Sequence, residues 1–176
     1  QSSWDMYDSH LYPGGACRLH TLRCELGDDI FWAAVRDYLA TYRDRVVETD
    51  DFRLIMEKHS GRALGRFFDQ WFYQPGYPDL KVTFEFDADA SRGVFTVEQQ
   101  QVNATENIPV FHFQTAVAWR LDGELHTAPI RIEQSHHIFM FPMSKPPELA
   151  LFGPAGVVLH KLAFNPGDDL LRRQLT

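Results

Sequence analysis

The spacing of hydrophobic residues changes once along the chain, near Pro75-Gly76-Tyr77-Pro78. Before this point apolar residues recur every three to four positions, which is the spacing of a helix with one buried face. Asp28 is expected to cap the second helix and Thr49 to begin the third, while Gly27 and Gly61 stand where helices would end. The pattern therefore predicts four helices, at about residues 13–26, 28–42, 49–60 and 64–72.

From Leu80 onward the hydrophobic period becomes two, which is typical of strands with one buried face. Asp122-Gly123 lies between two such stretches and is a strong signal for a tight hairpin. The pattern predicts strands at about residues 80–86, 95–99, 111–119, 125–132, 138–142, 150–152 and 157–164. Short strands separated by turns favour an antiparallel β-sandwich of about 100 residues.

These patterns predict an α+β chain of two domains, an all-α helical bundle in residues 1–76 and an antiparallel β-sandwich in residues 77–176. The 44% of hydrophobic residues, with 14 phenylalanines, can supply an aromatic core. The net charge of −7 and the lack of a basic run argue against nucleic-acid binding. No apolar stretch approaches the roughly 18–20 residues that a bilayer-spanning helix needs, so no membrane partner is expected.

The eight histidines and two cysteines form no complete metal-binding motif, because no H-E-x-x-H sequence is present. His136-His137 would point to opposite faces of a strand, and His20 and His59 are expected as hydrogen-bonded core residues. Cys17 and Cys24 lie seven positions apart on one predicted helix, about 10 Å, which exceeds the ~7 Å limit of a disulfide. They are expected as free thiols packed like small hydrophobic residues. No metal ligand is predicted within the chain.

The segment Tyr12-Pro13-Gly14-Gly15-Ala16 remains as a candidate for chemistry, and it runs straight into the first helix. A tyrosine at the start of a helix is ordinarily a packing residue, but the sequence that follows changes this interpretation. Four pieces of the chain resemble, in order and at matching spacing, the aminopeptidase N family of gluzincin zinc peptidases. The pieces are Tyr12-Pro13-Gly14-Gly15-Ala16 with Leu19-His20, Leu22-Arg23 and Glu25-Leu26-Gly27; Phe31-Trp32 with Tyr38-Leu39; Glu48-Thr49-Asp50-Asp51-Phe52; and Phe67-Phe68-Asp69-Gln70-Trp71-Phe72-Tyr73-Gln74-Pro75-Gly76-Tyr77-Pro78.

The resemblance is strong over residues 12–86 and looser beyond, where Gln99 and Gly153-Pro154-Ala155-Gly156-Val157 fit the β-sandwich domain of that family. It implies a zinc-dependent aminopeptidase that hydrolyses N-terminal residues from peptides. In this family H-E-x-x-H and a downstream glutamate hold the zinc, and both precede the tyrosine segment. The zinc of the parent protein is therefore expected to bind outside this chain, which on its own is expected to be inactive and to hold no cofactor.

Tyr12 aligns with the catalytic tyrosine of the family. A phenol ionises only near pH 10, so it can donate a hydrogen bond to the oxyanion that forms during peptide hydrolysis. The resemblance identifies no substrate-binding residue. One position departs from the family pattern: Gly14 stands where many members have lysine, which leaves the substrate preference open.

The expected partners are peptide substrates, the missing N-terminal half of the catalytic domain, and a C-terminal helical-repeat domain approached through Leu170-Leu171-Arg172-Arg173. The helical bundle is expected to expose an apolar patch where the missing half would pack. Because the chain begins at Gln1 rather than Met, a processed or excised chain is expected. Free thiols are compatible with a cytoplasmic location. The alternative function is a non-catalytic scaffold that keeps the aminopeptidase fold for protein–protein assembly.

Overall fold

Along residues 11–174, the part of the chain that the computed structural model describes, a group of helices is followed by strands and then by one short helix. The α+β class predicted from the hydrophobic pattern is confirmed. The described residues fall into two compact units, one ending at Gln74 and the other beginning at Pro75. Across residues 11–174, no helix combines the length and the hydropathy that crossing a membrane requires.

The described part of the first unit contains four α-helices: α1 (Tyr12–Leu26), α2 (Asp28–Thr41), α3 (Thr49–Ser60) and α4 (Gly65–Phe68). Gly27, with φ of 84°, separates α1 from α2 by a single residue. Its N–H still donates to Arg23 O at 2.8 Å. At the start of α3 the Asp51 carboxylate accepts a hydrogen bond from the Glu48 N–H at 2.8 Å, which satisfies a donor that the helix cannot pair.

The core of this unit is built from one face of each helix. Its buried members are Leu22, Leu26, Phe31, Ala34, Ile55, Met56, Leu64 and Phe68. Aromatic rings extend this core, as in the stacked pair Phe68–Phe72, whose centroids are 4.8 Å apart. Aromatic pairs of this kind add about 0.5–1.5 kcal/mol beyond the area that they bury.

Two local predictions for the helices are wrong. The fourth helix was predicted as one continuous stretch, but α4 has four residues and continues as a π-helix, Asp69–Tyr73. The Gln74 N–H closes this segment by donating to Asp69 O at 2.9 Å, five residues earlier. Asp28 does not cap α2, since Gly27 occupies the N-cap position and the Asp28 carboxylate pairs with the Arg23 guanidinium at 2.7 Å instead.

The second unit contains seven described strands and one short helix. They are β1 (Asp79–Asp87), β2 (Arg92–Gln99), β3 (Phe113–Leu121), β4 (Glu124–Ile132), β5 (His136–Pro142), β6 (Leu149–Phe152), β7 (Lys161–Asn165) and α5 (Asp168–Gln174). The strands form a four-stranded sheet in the order β5-β2-β1-β7 and a three-stranded sheet in the order β4-β3-β6. The predicted hairpin at Asp122-Gly123 is confirmed, with φ of 52° and 79° at the two turn residues.

The prediction of purely antiparallel strands is wrong for β7, which runs parallel to β1. The chain reaches β7 from β6, a strand of the other sheet, so no hairpin joins β7 to β1. The two strands begin at the same end, where the Lys161 N–H donates to Pro78 O at 2.9 Å. The strand predicted from residue 157 starts only at Lys161, and just before it the His160 Nδ1 lies 2.7 Å from Val158 O.

Candidate active site

Tyr12 is the first residue of α1, and 71% of its surface is exposed. Pro13 follows it in the first turn, where its fixed φ suits a helix and its missing N–H leaves no donor unpaired. The first turn of the helix is completed by a hydrogen bond from the Gly15 N–H to Leu11 O at 3.0 Å. The local sequence therefore places Tyr12 at the N-terminal end of α1.

Arg18 connects this first turn of α1 to the π-helix. Its Nε donates to Trp71 O, and one terminal guanidinium nitrogen donates to Gly14 O at 3.1 Å. Trp71 is 2% exposed, so the guanidinium is attached to a well-buried part of the core. Short π-helical segments occur frequently at functional sites. Arg18 thus sets the position of the turn that carries Tyr12.

Sequence reasoning did not identify Arg18 as part of this site. The only available signal was a cation six residues after Tyr12, on a helix whose other long inward-facing residues are apolar. The glycines are less informative than the resemblance suggested. A Cβ added to Gly15 would meet no heavy atom within 4 Å among the described residues, so packing does not require a glycine there.

The histidines follow the predictions only in part. His59 is hydrogen-bonded as expected, with its Nε2 2.8 Å from the Asp37 carboxylate. Asp37 also accepts from the Lys58 ammonium at 2.8 Å and the Thr41 hydroxyl at 3.1 Å. Hydrogen bonds from Lys58, His59 and Thr41 lower the pKa of the Asp37 carboxyl well below its ordinary value. This cluster connects α2 to α3.

Cys17 and Cys24 are free thiols as predicted, but the predicted burial of these two residues and of His20 is wrong. His20, Cys17 and Cys24 are exposed rather than buried. The reason is that Leu22 and Leu26 occupy the inner face of α1, which leaves these three positions on the opposite side. In residues 11–174, no three or more His, Cys, Asp and Glu side chains are grouped so that they could hold a metal ion.

Comparison with known proteins supports the family resemblance. Residues 1–71 match the model of the peptidase family M1 domain. Aminopeptidase A of Gloydius brevicauda is 36% identical over 77 residues, which are 44% of this chain and 8% of that protein. Aminopeptidase N of Lactococcus lactis subsp. lactis is 31% identical over 74 residues, which are 42% of this chain and 9% of that protein.

A solved structure extends the likeness in fold beyond the helical unit. The crystal structure of Legionella pneumophila aminopeptidase A in complex with aspartic acid matches with a TM-score of 0.70 and 18% identity. The match covers 96% of this chain and 19% of that chain. At this identity the likeness concerns the fold alone.

The match to the helical part defines a class of protein, the M1 metallopeptidases, which are hydrolases that include the aminopeptidases named above. Residues 1–71 are similar to this family, and the resemblance of the helical part of the chain to the aminopeptidase N family is confirmed. It spans less than a tenth of the length of Aminopeptidase A and Aminopeptidase N, as the 8% and 9% coverage shows.

Proposed function

We propose that this chain contributes a catalytic tyrosine and its supporting helices to a zinc-dependent aminopeptidase that hydrolyses N-terminal residues from peptides. The observation that carries the proposal is the position of Tyr12. It lies at the first residue of α1, exposed to solvent, inside the segment that matches the M1 domain.

Within residues 11–174 there is no group of three ligand side chains for the zinc. The proposal therefore assigns the metal to H-E-x-x-H and a downstream glutamate on a segment that precedes Tyr12 in a longer protein. When bound, zinc activates water and polarises the peptide carbonyl. This chain contributes the Tyr12 phenol, whose hydroxyl donates a hydrogen bond to the developing oxyanion.

The role of Arg18 follows from the same geometry. An oxyanion donor is effective only when it is held in place before the reaction, because reorganisation during the reaction would cost free energy. The bonds from Arg18 to Gly14 O and Trp71 O restrain the first turn of α1. Arg18 is therefore a positioning residue for Tyr12 in this proposal.

The proposed partners are the N-terminal half of the catalytic domain and a helical-repeat domain beyond the β unit. Exposed apolar side chains on the first unit support the former, since large exposed apolar surfaces commonly mark interaction sites. They include Leu11, Tyr12, Leu19 and Trp32, which lie on or beside α1 and α2. In this proposal the helices form the second half of the catalytic domain and the two sheets form a β-sandwich that separates it from the helical repeats.

The test is Tyr12→Phe in a full-length protein that contains this chain, assayed with aminoacyl-nitroanilides. Loss of one oxyanion donor should lower kcat by roughly 10²–10³-fold and change KM little. Tyr73→Phe is the matched control, because Tyr73 is also exposed and its hydroxyl lies 3.4 Å from an Asp50 carboxylate oxygen. The control should retain its turnover.

Equal activity of the two variants would contradict the role of Tyr12. A wild-type full-length protein that contains no zinc and shows no turnover would instead favour the non-catalytic scaffold. The 176-residue chain by itself is expected to show no turnover in the same assay.

A further inference from the structure

The exposed face of α1 carries three side chains that bind soft metals. Cys17, His20 and Cys24 are separated by three and four positions, and all three are exposed. Residues three and four apart are neighbours on a helix surface. This face lies opposite the buried Leu22 and Leu26, so none of the three side chains is needed for the core.

His20 and Cys24 are already in contact. The Cys24 Sγ lies 3.5 Å from His20 Nε2 and 4.0 Å from His20 Nδ1. A tetrahedral ion with metal–sulfur bonds of about 2.3 Å and metal–nitrogen bonds of about 2.0–2.1 Å holds sulfur and nitrogen roughly 3.6 Å apart. The observed contact of 3.5 Å is that of a sulfur–nitrogen hydrogen bond, and a bound ion could bridge the two atoms without a large change in their separation.

The charges around this pair do not exclude a cation. Arg23 precedes Cys24, but its guanidinium makes two hydrogen bonds to the Asp28 carboxylate, at 2.7 and 3.0 Å. The positive charge beside the thiol is thus compensated by a carboxylate. Cys17 lies one turn before His20, yet residues 11–174 contain no group of three such side chains placed to hold one ion.

We propose that His20 and Cys24 form a two-ligand site for a thiophilic divalent cation such as Zn²⁺ or Cd²⁺. On binding, a sulfur–metal bond forms while the thiol proton leaves to solvent, and an imidazole nitrogen donates its lone pair. No electron is transferred, and water completes the coordination. The two side chains are exposed, and the site does not depend on the proposed function. It revises the expectation that the chain contains no metal ligand.

The test is a titration of the 176-residue chain with cadmium chloride under reducing conditions. Binding is monitored by the ultraviolet charge-transfer absorption of the sulfur–cadmium bond. One cadmium per chain should produce the band. Cys24→Ser should abolish it. His20→Gln should weaken binding by roughly tenfold or more, because loss of a direct ligand costs no less than loss of an outer-shell partner.

Cys17→Ser is the matched control, since it removes an exposed thiol from the same helix face. Because Cys17 is not a proposed ligand, the intensity of the absorption band and the affinity for cadmium should stay within about twofold of the unmodified chain. The proposal is overturned if Cys17→Ser abolishes the band as completely as Cys24→Ser, or if His20→Gln binds like the unmodified chain. All three substitutions are at exposed positions, and far-ultraviolet circular dichroism verifies that each variant is folded.

Discussion

Replacing Gln99 by methionine removes the hydrogen bonds that attach the loop after β2 to the sheet. Gln99 is 5% exposed. Its Oε1 accepts from the Phe111 N–H at 2.9 Å and from Gln101 Nε2 at 2.7 Å. Its Nε2 donates to Phe111 O at 2.8 Å and to Gln134 O at 3.1 Å. One side chain thus bonds both backbone groups of a buried residue twelve positions away.

The expected cost follows from the two bonds to Phe111, which is 0% exposed. Loss of a buried partner costs about 1–3 kcal/mol for each polar group, because water cannot replace it. Methionine has a similar length and restores none of these bonds. Two lost bonds predict a decrease of roughly 2–6 kcal/mol in the free energy of unfolding. For a unit of about 100 residues this lowers Tm by at least ~8 °C.

Urea unfolding of both variants at neutral pH measures this cost, with Gln114→Met as the control. Gln114 lies in β3 and is exposed, so the same chemical change there should alter stability by less than ~0.5 kcal/mol. Amide hydrogen exchange at Phe111 should also accelerate in the Gln99 variant. If the two variants unfold at the same urea concentration and Phe111 exchanges at its original rate, the side chain of Gln99 does not hold this loop.

Two further predictions concern stability. Gly93→Ala should lower the free energy of unfolding, measured in urea, by about 1–3 kcal/mol. The reason is that an added Cβ would lie 2.5 Å from Met143 side-chain atoms and 2.8 Å from the Phe84 ring. Unchanged stability would contradict this prediction and show that the neighbouring side chains move at little cost. Asp37 has a lowered pKa in the folded state, so its stabilising effect is complete above its ordinary pKa near 4 and is lost as the pH falls through the lowered value. Asp37→Asn should therefore be less stable than the unmodified chain at pH 7, with a difference that shrinks in acid; a gap that does not depend on pH would contradict this.

Much of the secondary structure could be predicted because its signals are local. The start of α3 at Thr49 and its end before Gly61 follow from a first turn rich in carboxylates and from a glycine in the left-handed conformation. The hairpin between β3 and β4 follows from Asp122-Gly123, since both turn residues have positive φ. The candidate Tyr12 came from motif spacing, which is also a local property of the chain.

The π-helix and the anchoring of Tyr12 could not be predicted from local patterns. The periods of an α-helix and a π-helix are too similar for a short aromatic stretch to distinguish them. Arg18 and Trp71 are 53 positions apart, so only the folded chain reveals their hydrogen bond. The exposure of Cys17 and Cys24 was likewise decided by which face of α1 packs inward.

The amino-acid sequence by itself determined that helices precede strands, where most of them begin and end, and that a tyrosine stands at the start of the first helix. These properties depend on hydrophobic period, capping residues and turn residues, which act over a few neighbouring positions. The tertiary structure decided that β7 runs parallel to β1, that Arg18 holds the turn carrying Tyr12, and that His20 and Cys24 share an exposed face. Those outcomes depend on packing between distant segments, or on which side of a helix is covered, and both are settled only when the whole chain folds.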